Sequence, residues 1–217
     1  AYFKPTVRRN DITRTIYQSF SGLKCFEILD EMEDKIEEVI KIAINLLNAK
    51  PIVPGEYDVI CSPDAVGTIA HEAFGHGVEM DMFVKNRAKA IEYLDKEVAS
   101  KIVNMRDGAK SHKHVSSYLF DDEGVIGTDT LIIENGILKT GISDLLSAMK
   151  LKTTPTGNGK RQSFDRKAYT RMTNTFFEKG TDKLEDMISS ISHGYYISHA
   201  SSGMEDPKDW GIQVIFI

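Results

Sequence analysis

The sequence predicts an α+β fold of mixed helices and a largely antiparallel sheet, and three observations predict it. Ile36, Val39, Ile40, Ala43 and Leu47 recur at three-to-four spacing, while Glu33, Lys35, Glu38 and Lys41 take the other face, as in an amphipathic helix. Asn135-Gly136 stands between two apolar runs, a strong hairpin signal because a type I′ turn needs positive φ at both central residues. The last six residues, Ile212-Gln213-Val214-Ile215-Phe216-Ile217, read as a buried strand.

Along the chain, an alternating stretch over 13–20 opens the amino end, with no obvious partner strand before it. The first helix spans 30–48, and Lys50-Pro51-Ile52-Val53-Pro54-Gly55 ends it and marks a domain boundary, giving regions 1–50 and 51–217. A short strand covers 57–61. Asp64 then stands as the N-cap of a helix over 65–74, which Gly75 and Gly77 weaken at its end. Residues 84–105 read as helical in part. Strands 129–134 and 137–140 flank Asn135-Gly136, a short helix follows over 143–151, and 153–160 is a polar loop. Residues 171–177 form a candidate strand. The segment 181–193 reads as an amphipathic helix with Leu184, Met187, Ile188 and Ile191 inward and Gly194 as its stop. Strands 195–199 and 212–217 enclose a loop with Gly203-Met204-Glu205-Asp206-Pro207. Both ends read as cut within strands, as in a piece of a longer protein; the alternative is that the first and last strands pair with each other.

The 217 residues carry 27 Lys+Arg against 32 Asp+Glu, a net charge of −5. That balance speaks against non-specific nucleic-acid binding, which needs a surplus of cations. No apolar run reaches membrane-spanning length, and Lys41 and Asn45 interrupt the best attempt, 39–47. Nothing at the amino end resembles a signal peptide. Two cysteines, Cys25 and Cys61, cannot build a disulfide framework, which fits a reducing cytoplasm.

The informative stretch is His71-Glu72-Ala73-Phe74-Gly75-His76-Gly77-Val78-Glu79-Met80-Asp81. Imidazoles are the usual nitrogen ligands of zinc, and a neighbouring carboxylate is the usual base of metal-assisted hydrolysis. The common zincin spacing places its histidines four apart on one helical face. Here they are five apart, so on a regular helix they point about 140° away from each other. Gly75 offers a way round this, since the helix can end there or widen into a π-type turn. Val66, Ile69, Ala70, Ala73 and Phe74 form the apolar stripe, with His71 and Glu72 to either side of it and available to a cleft. The alternative is a pair of polar histidines at a surface helix end, with Glu72 simply solvated. For a third ligand, Glu79 is nearest in sequence and Cys61 is a second candidate, although a free cysteine is more commonly core. His112-Lys113-His114 reads as a solvated loop, and His193 and His199 as ordinary polar residues.

Residues 67–79, Gly-Thr-Ile-Ala-His-Glu-Ala-Phe-Gly-His-Gly-Val-Glu, resemble the signature of the TldD/PmbA family, also called modulators of DNA gyrase. The similarity continues through Asp121-Asp122-Glu123-Gly124, Leu131-Ile132-Ile133-Glu134-Asn135-Gly136-Ile137-Leu138, Thr154-Pro155-Thr156-Gly157-Asn158-Gly159, Arg171-Met172-Thr173-Asn174-Thr175 and Gly203-Met204-Glu205-Asp206-Pro207. The resemblance implies a zinc metallopeptidase acting on peptides or unfolded segments, with His71 and His76 as zinc ligands and Glu72 as general base. It also implies that residues 1–50 are the remnant of an amino-terminal α/β region and that 51–217 is the metallopeptidase domain lacking its carboxyl-terminal segment. The family's third ligand is a cysteine near the carboxyl terminus, at a position neither Cys25 nor Cys61 occupies. The implied partners are a second copy of the chain or a motif-lacking paralogue, with a non-catalytic partner subunit as the alternative function. Direct nucleic-acid binding is suggested only by the gyrase label.

Overall fold

The computed structural model describes residues 1–216, and Ile217, the last residue of the expected final strand, lies outside the described residues. The chain divides into two compact units, Ala1–Tyr57 and Asp58–Ile217.

In the first unit, β1 (Tyr2–Phe3) pairs antiparallel with β4 (Gln18–Ser19), and β2 (Thr6–Arg9) with β3 (Ile12–Thr15). The stretch expected to lack a partner therefore finds one locally. Asn10, at φ 53°, turns the chain between β2 and β3, a conformation asparagine tolerates better than most residues. Helix α1 (Ile28–Asn45) runs on into a 3₁₀ turn, Leu46–Asn48. Val39 and Ala43 face inward from α1 and close on Ile16, with Phe3, Val7, Ile42 and Leu46 around them.

In the second unit, β5 (Asp58–Cys61) leads into α2 (Pro63–Ile69). The cap of α2 is Ser62 and not Asp64. The Ser62 hydroxyl accepts from the Ala65 amide at 3.3 Å, and Pro63 takes the first helical position, where a missing N–H costs nothing. Asp64 instead lies 3.5 Å from Nδ1 of His199. A π-helical turn, Ala70–Gly75, and a 3₁₀ turn, His76–Val78, follow, and then α3 (Met80–Val84). The expectation of helix over 84–105 holds only for a 3₁₀ segment, Lys89–Tyr93; the rest is irregular up to β6 (Met105–Asp107). Strands β7 (Thr130–Glu134) and β8 (Ile137–Leu138) form the expected hairpin, with Asn135 at φ 48° and Gly136 at φ 80°. Helix α4 (Leu145–Leu151) is capped by Asp144, which accepts from the Ser147 amide at 2.7 Å. Then come β9 (Gly159–Lys160), β10 (Tyr169–Thr170), β11 (Thr175–Phe177), α5 (Leu184–Ser190), β12 (Gly194–Ile197), β13 (Ala200–Asp206) and β14 (Gly211–Phe216).

The central sheet has the antiparallel order β11-β6-β7-β8, so β11 is an edge. Strand β12 pairs in parallel with β5, and β13 with β14 as a hairpin. Neither terminal strand pairs with the other: β1 joins β4, and β14 joins β13. Met105, Ile132, Ile133, Leu138 and Ile142 are fully buried, and with Ala70, Val78, Met80 and Phe83 they make the core beneath the π turn.

Three further expectations are corrected. Residues 171–174 are irregular, and only Thr175–Phe177 is strand, because Asp107 draws this segment in through polar contacts. Fully buried, Asp107 accepts from the Thr173 amide and hydroxyl, both at 2.8 Å, from Asn158 Nδ2 at 2.7 Å and from the Thr175 hydroxyl. The segment 203–206, expected as a loop, lies within β13. Leu184, Met187 and Ile188 of α5 and Ile212 and Ile215 of β14, expected inside, are exposed. Among the described residues no helix is long and apolar enough to cross a membrane.

Candidate metal centre

The sequence put two histidines at a spacing that a regular helix cannot bring together. The backbone resolves this within one turn. In the π-helical stretch the His76 amide donates to the His71 carbonyl, five residues back, so the two residues stack one above the other. Their rings approach edge to face, with centroids 4.6 Å apart and planes at 85°. Ligand atoms of His71, Glu72 and His76 all lie within 4.8 Å of one another. Gly75 closes the turn in a place where no side chain fits: a Cβ there would lie 2.1 Å from Met172 Sδ and 3.1 Å from the Ala70 carbonyl oxygen. Thus Gly75 widens the helix and also admits Met172 against it.

Each member of the group has its own surroundings. His71 is exposed, while Glu72 and His76 are half-buried. Burial, and the neighbouring His76, push the His71 imidazole below its ordinary pKa. His76 moves the other way, chiefly through its contact with Glu79 and against the effect of burial. Glu79 Oε1 lies 3.4 Å from His76 Nδ1, an ion-pair contact that is long for a hydrogen bond, and that oxygen has no other donor. Glu79 Oε2 is held by Arg171 Nη1 at 3.1 Å. A carboxylate at Nδ1 fixes the imidazole so that Nε2 is left for a metal. Glu79 is therefore an orienting group and stands outside the ligand cluster, although by sequence it was the nearest third ligand. Cys61 also stands outside it. It sits in β5 opposite Ile197, and burial raises its thiol pKa, the reverse of what a thiolate ligand needs.

The remaining histidines lie elsewhere. His112 and His114 stack at 6.3 Å and line a cavity of about 540 Å³ beside β11. His193 packs on Tyr195, and His199 meets Asp64.

The β13–β14 hairpin forms a wall of the site that the sequence reading missed. A Cβ on Gly203 would lie 2.6 Å from both Cγ and Oε1 of Glu72, so the Glu72 side chain rests directly on the β13 backbone. Glu72 Oε2 is sealed from solvent and has no hydrogen-bond donor. An orphaned carboxylate oxygen beside two imidazoles suits a cation and its water, so the donor set fits a zinc ion. Trp210, in the turn before β14, donates its indole N–H to the Ala73 carbonyl at 2.7 Å, inside the π turn. Arg171, Gly203 and Trp210 lie 92 or more residues from the groups they meet, and helical or strand periodicity carries no signal of such contacts.

Residues 54–215 match the PmbA/TldA metallopeptidase C-terminal domain. A metalloprotease TldD homolog of Buchnera aphidicola subsp. Schizaphis graminum is 36% identical over 170 residues, covering 78% of this chain and 35% of that protein. A zinc metalloprotease TldD homolog of Saccharolobus solfataricus is 33% identical over 193 residues, covering 88% and 43%. The crystal structure of a modulator of DNA gyrase from Thermotoga maritima MSB8 superposes with a TM-score of 0.72 at 25% identity, covering 93% of this chain and 45% of that one. TldE from Thermococcus kodakarensis shares the fold, with a TM-score of 0.73 at 21% identity over 98% of this chain and 48% of its own. The chain thus spans about a third of the Buchnera relative and less than half of the other three.

Proposed function

The chain belongs to the PmbA/TldD metallopeptidase family, and from that premise we propose that it carries the hydrolytic centre of a zinc-dependent peptidase acting on peptides or unfolded segments. The observation that carries this reading is the π turn that gathers His71, Glu72 and His76 within 4.8 Å. His71 and His76 would hold the ion, with Glu72 beside them. Zinc in this position supplies Lewis acidity towards water and the peptide carbonyl.

The chain's own residues do the rest. Glu79, anchored by Arg171, holds His76 in one ring orientation. The Gly203 backbone confines Glu72 on one side, and its unpartnered Oε2 is free to accept a proton from the attacking water. The same oxygen then delivers that proton to the leaving amine, general base and general acid in turn. A substrate strand added along the edge strand β11 would be held by main-chain hydrogen bonds, a mode that tolerates many sequences. We place this activity in the cytoplasm, where the free thiols Cys25 and Cys61 stay reduced, and in a dimer with a second copy or a motif-lacking paralogue.

The test is Glu72→Ala in the full-length protein. Peptide cleavage is lost while zinc content, measured by atomic emission, stays as in the parent. Cleavage at the parental rate would exclude Glu72 as base, and a parent without zinc would favour the non-catalytic partner subunit.

A further inference from the structure

The residue that the proposed mechanism leaves unused is Glu205. Side chains alternate along a strand, so Gly203 and Glu205 share one face of β13. The pairing is regular there, with Gly203 opposite Val214 and Glu205 opposite Ile212. That face looks onto the metal centre, because Glu72 lies against Gly203. The negative charge of Glu205 acts on both His71 and His76.

The three carboxylates beside the histidines differ in what occupies them. Glu79 is taken by Arg171 and His76. Glu72 has the geometry of the base. Glu205 is half-buried, makes no hydrogen bond or ion pair with any described residue, and lies outside the ligand group of His71, Glu72 and His76. Its carboxylate oxygens are not among the sealed, unpartnered atoms of the site, so they stay open to a cation arriving with the substrate.

We propose that Glu205 determines substrate specificity by pairing with a lysine or arginine side chain close to the bond being cut. This rests on the peptidase reading above and names the substrate class it acts on. An acidic side chain in the same place meets like charge and is rejected.

The experiment uses the full-length protein carrying Glu72→Gln, so that peptides bind without turnover, with a control confirming that both acid-to-amide variants retain their zinc. Two fluorescent peptides differ only in a central Lys or Glu, and their affinities are read by anisotropy. The Lys peptide should bind about tenfold more tightly, as for a charge-assisted pair near a surface. Adding Glu205→Gln should abolish the difference, and adding Glu205→Lys should invert it. Equal affinities in the Glu72→Gln protein, a Lys preference that survives Glu205→Gln, or loss of zinc on Glu205→Gln would each overturn the proposal. Failure of the peptidase reading shows separately, as a parent protein that cuts no peptide while the binding preference remains.

Discussion

At the scale of single residues, the site depends on side chains that hold others in place. Gly203 leaves just enough room for Glu72. Gly203→Ala puts a methyl group 2.6 Å from Glu72 Cγ, and the carboxylate has to move. Because an error of about 1 Å in a reacting group can cost 10²-fold, the expected outcome is a fall in kcat of about that size with zinc content unchanged. Single-turnover kinetics on the full-length protein, alongside a metal assay, checks it. Glu79→Gln acts on the metal instead, by weakening the hold on His76 and leaving Arg171 without its carboxylate. Zinc affinity should drop 10- to 100-fold, the usual effect of losing such a group, as read by competition with a chelator. His71, Glu72 and His76 stood out in the sequence as candidates because metal chemistry restricts residue types, and the fold brings the three together. Arg171 was not, since nothing local ties it to Glu79, which is 92 residues away.

At the scale of elements, the decisive one is a helix that changes its pitch. The Gly75 signal was readable, and the structure has a π-helical turn, Ala70–Gly75, where the sequence offered an ended or widened helix. What stabilises that turn lies 137 residues away and leaves no local signal. Trp210 bonds to the Ala73 carbonyl and packs edge to face on Phe74 and Tyr93, with ring centroids 5.8 and 5.0 Å away. Its own backbone is held in the left-handed region at φ 57°, a strained conformation that its contacts offset. Trp210→Phe keeps an aromatic ring and removes the N–H. It should destabilise the protein by about 1–2 kcal/mol, seen as a lower midpoint in denaturant at unchanged slope. The β7–β8 hairpin was legible down to its two turn residues, because positive φ selects Asn-Gly locally. The placement of α5 and β14 was misread for the converse reason, since periodicity reports an apolar face without saying whether this stretch of chain covers it.

At the scale of the whole molecule, the candidate metal centre joins segments far apart in sequence: the π turn, the segment around Arg171 and the β13–β14 hairpin. Binding of an ion to this arrangement and not to the unfolded chain should stabilise the full-length protein. At zinc a hundredfold above its Kd the gain is about 2.7 kcal/mol, and Tm should rise by a few degrees. His76→Ala should remove most of that rise, and differential scanning calorimetry with and without chelator measures both. By itself the sequence determined the α+β class, the principal helices, the Asn-Gly hairpin, the family resemblance and the types of residue at the centre, because each follows from local backbone preference or from a short run of chemically restricted side chains. Only the tertiary structure decided that Arg171 anchors Glu79, that Gly203 bounds Glu72 and that Glu205 follows Gly203 on the same face of β13, because those relations arise when distant segments pack, and packing leaves no period in the sequence.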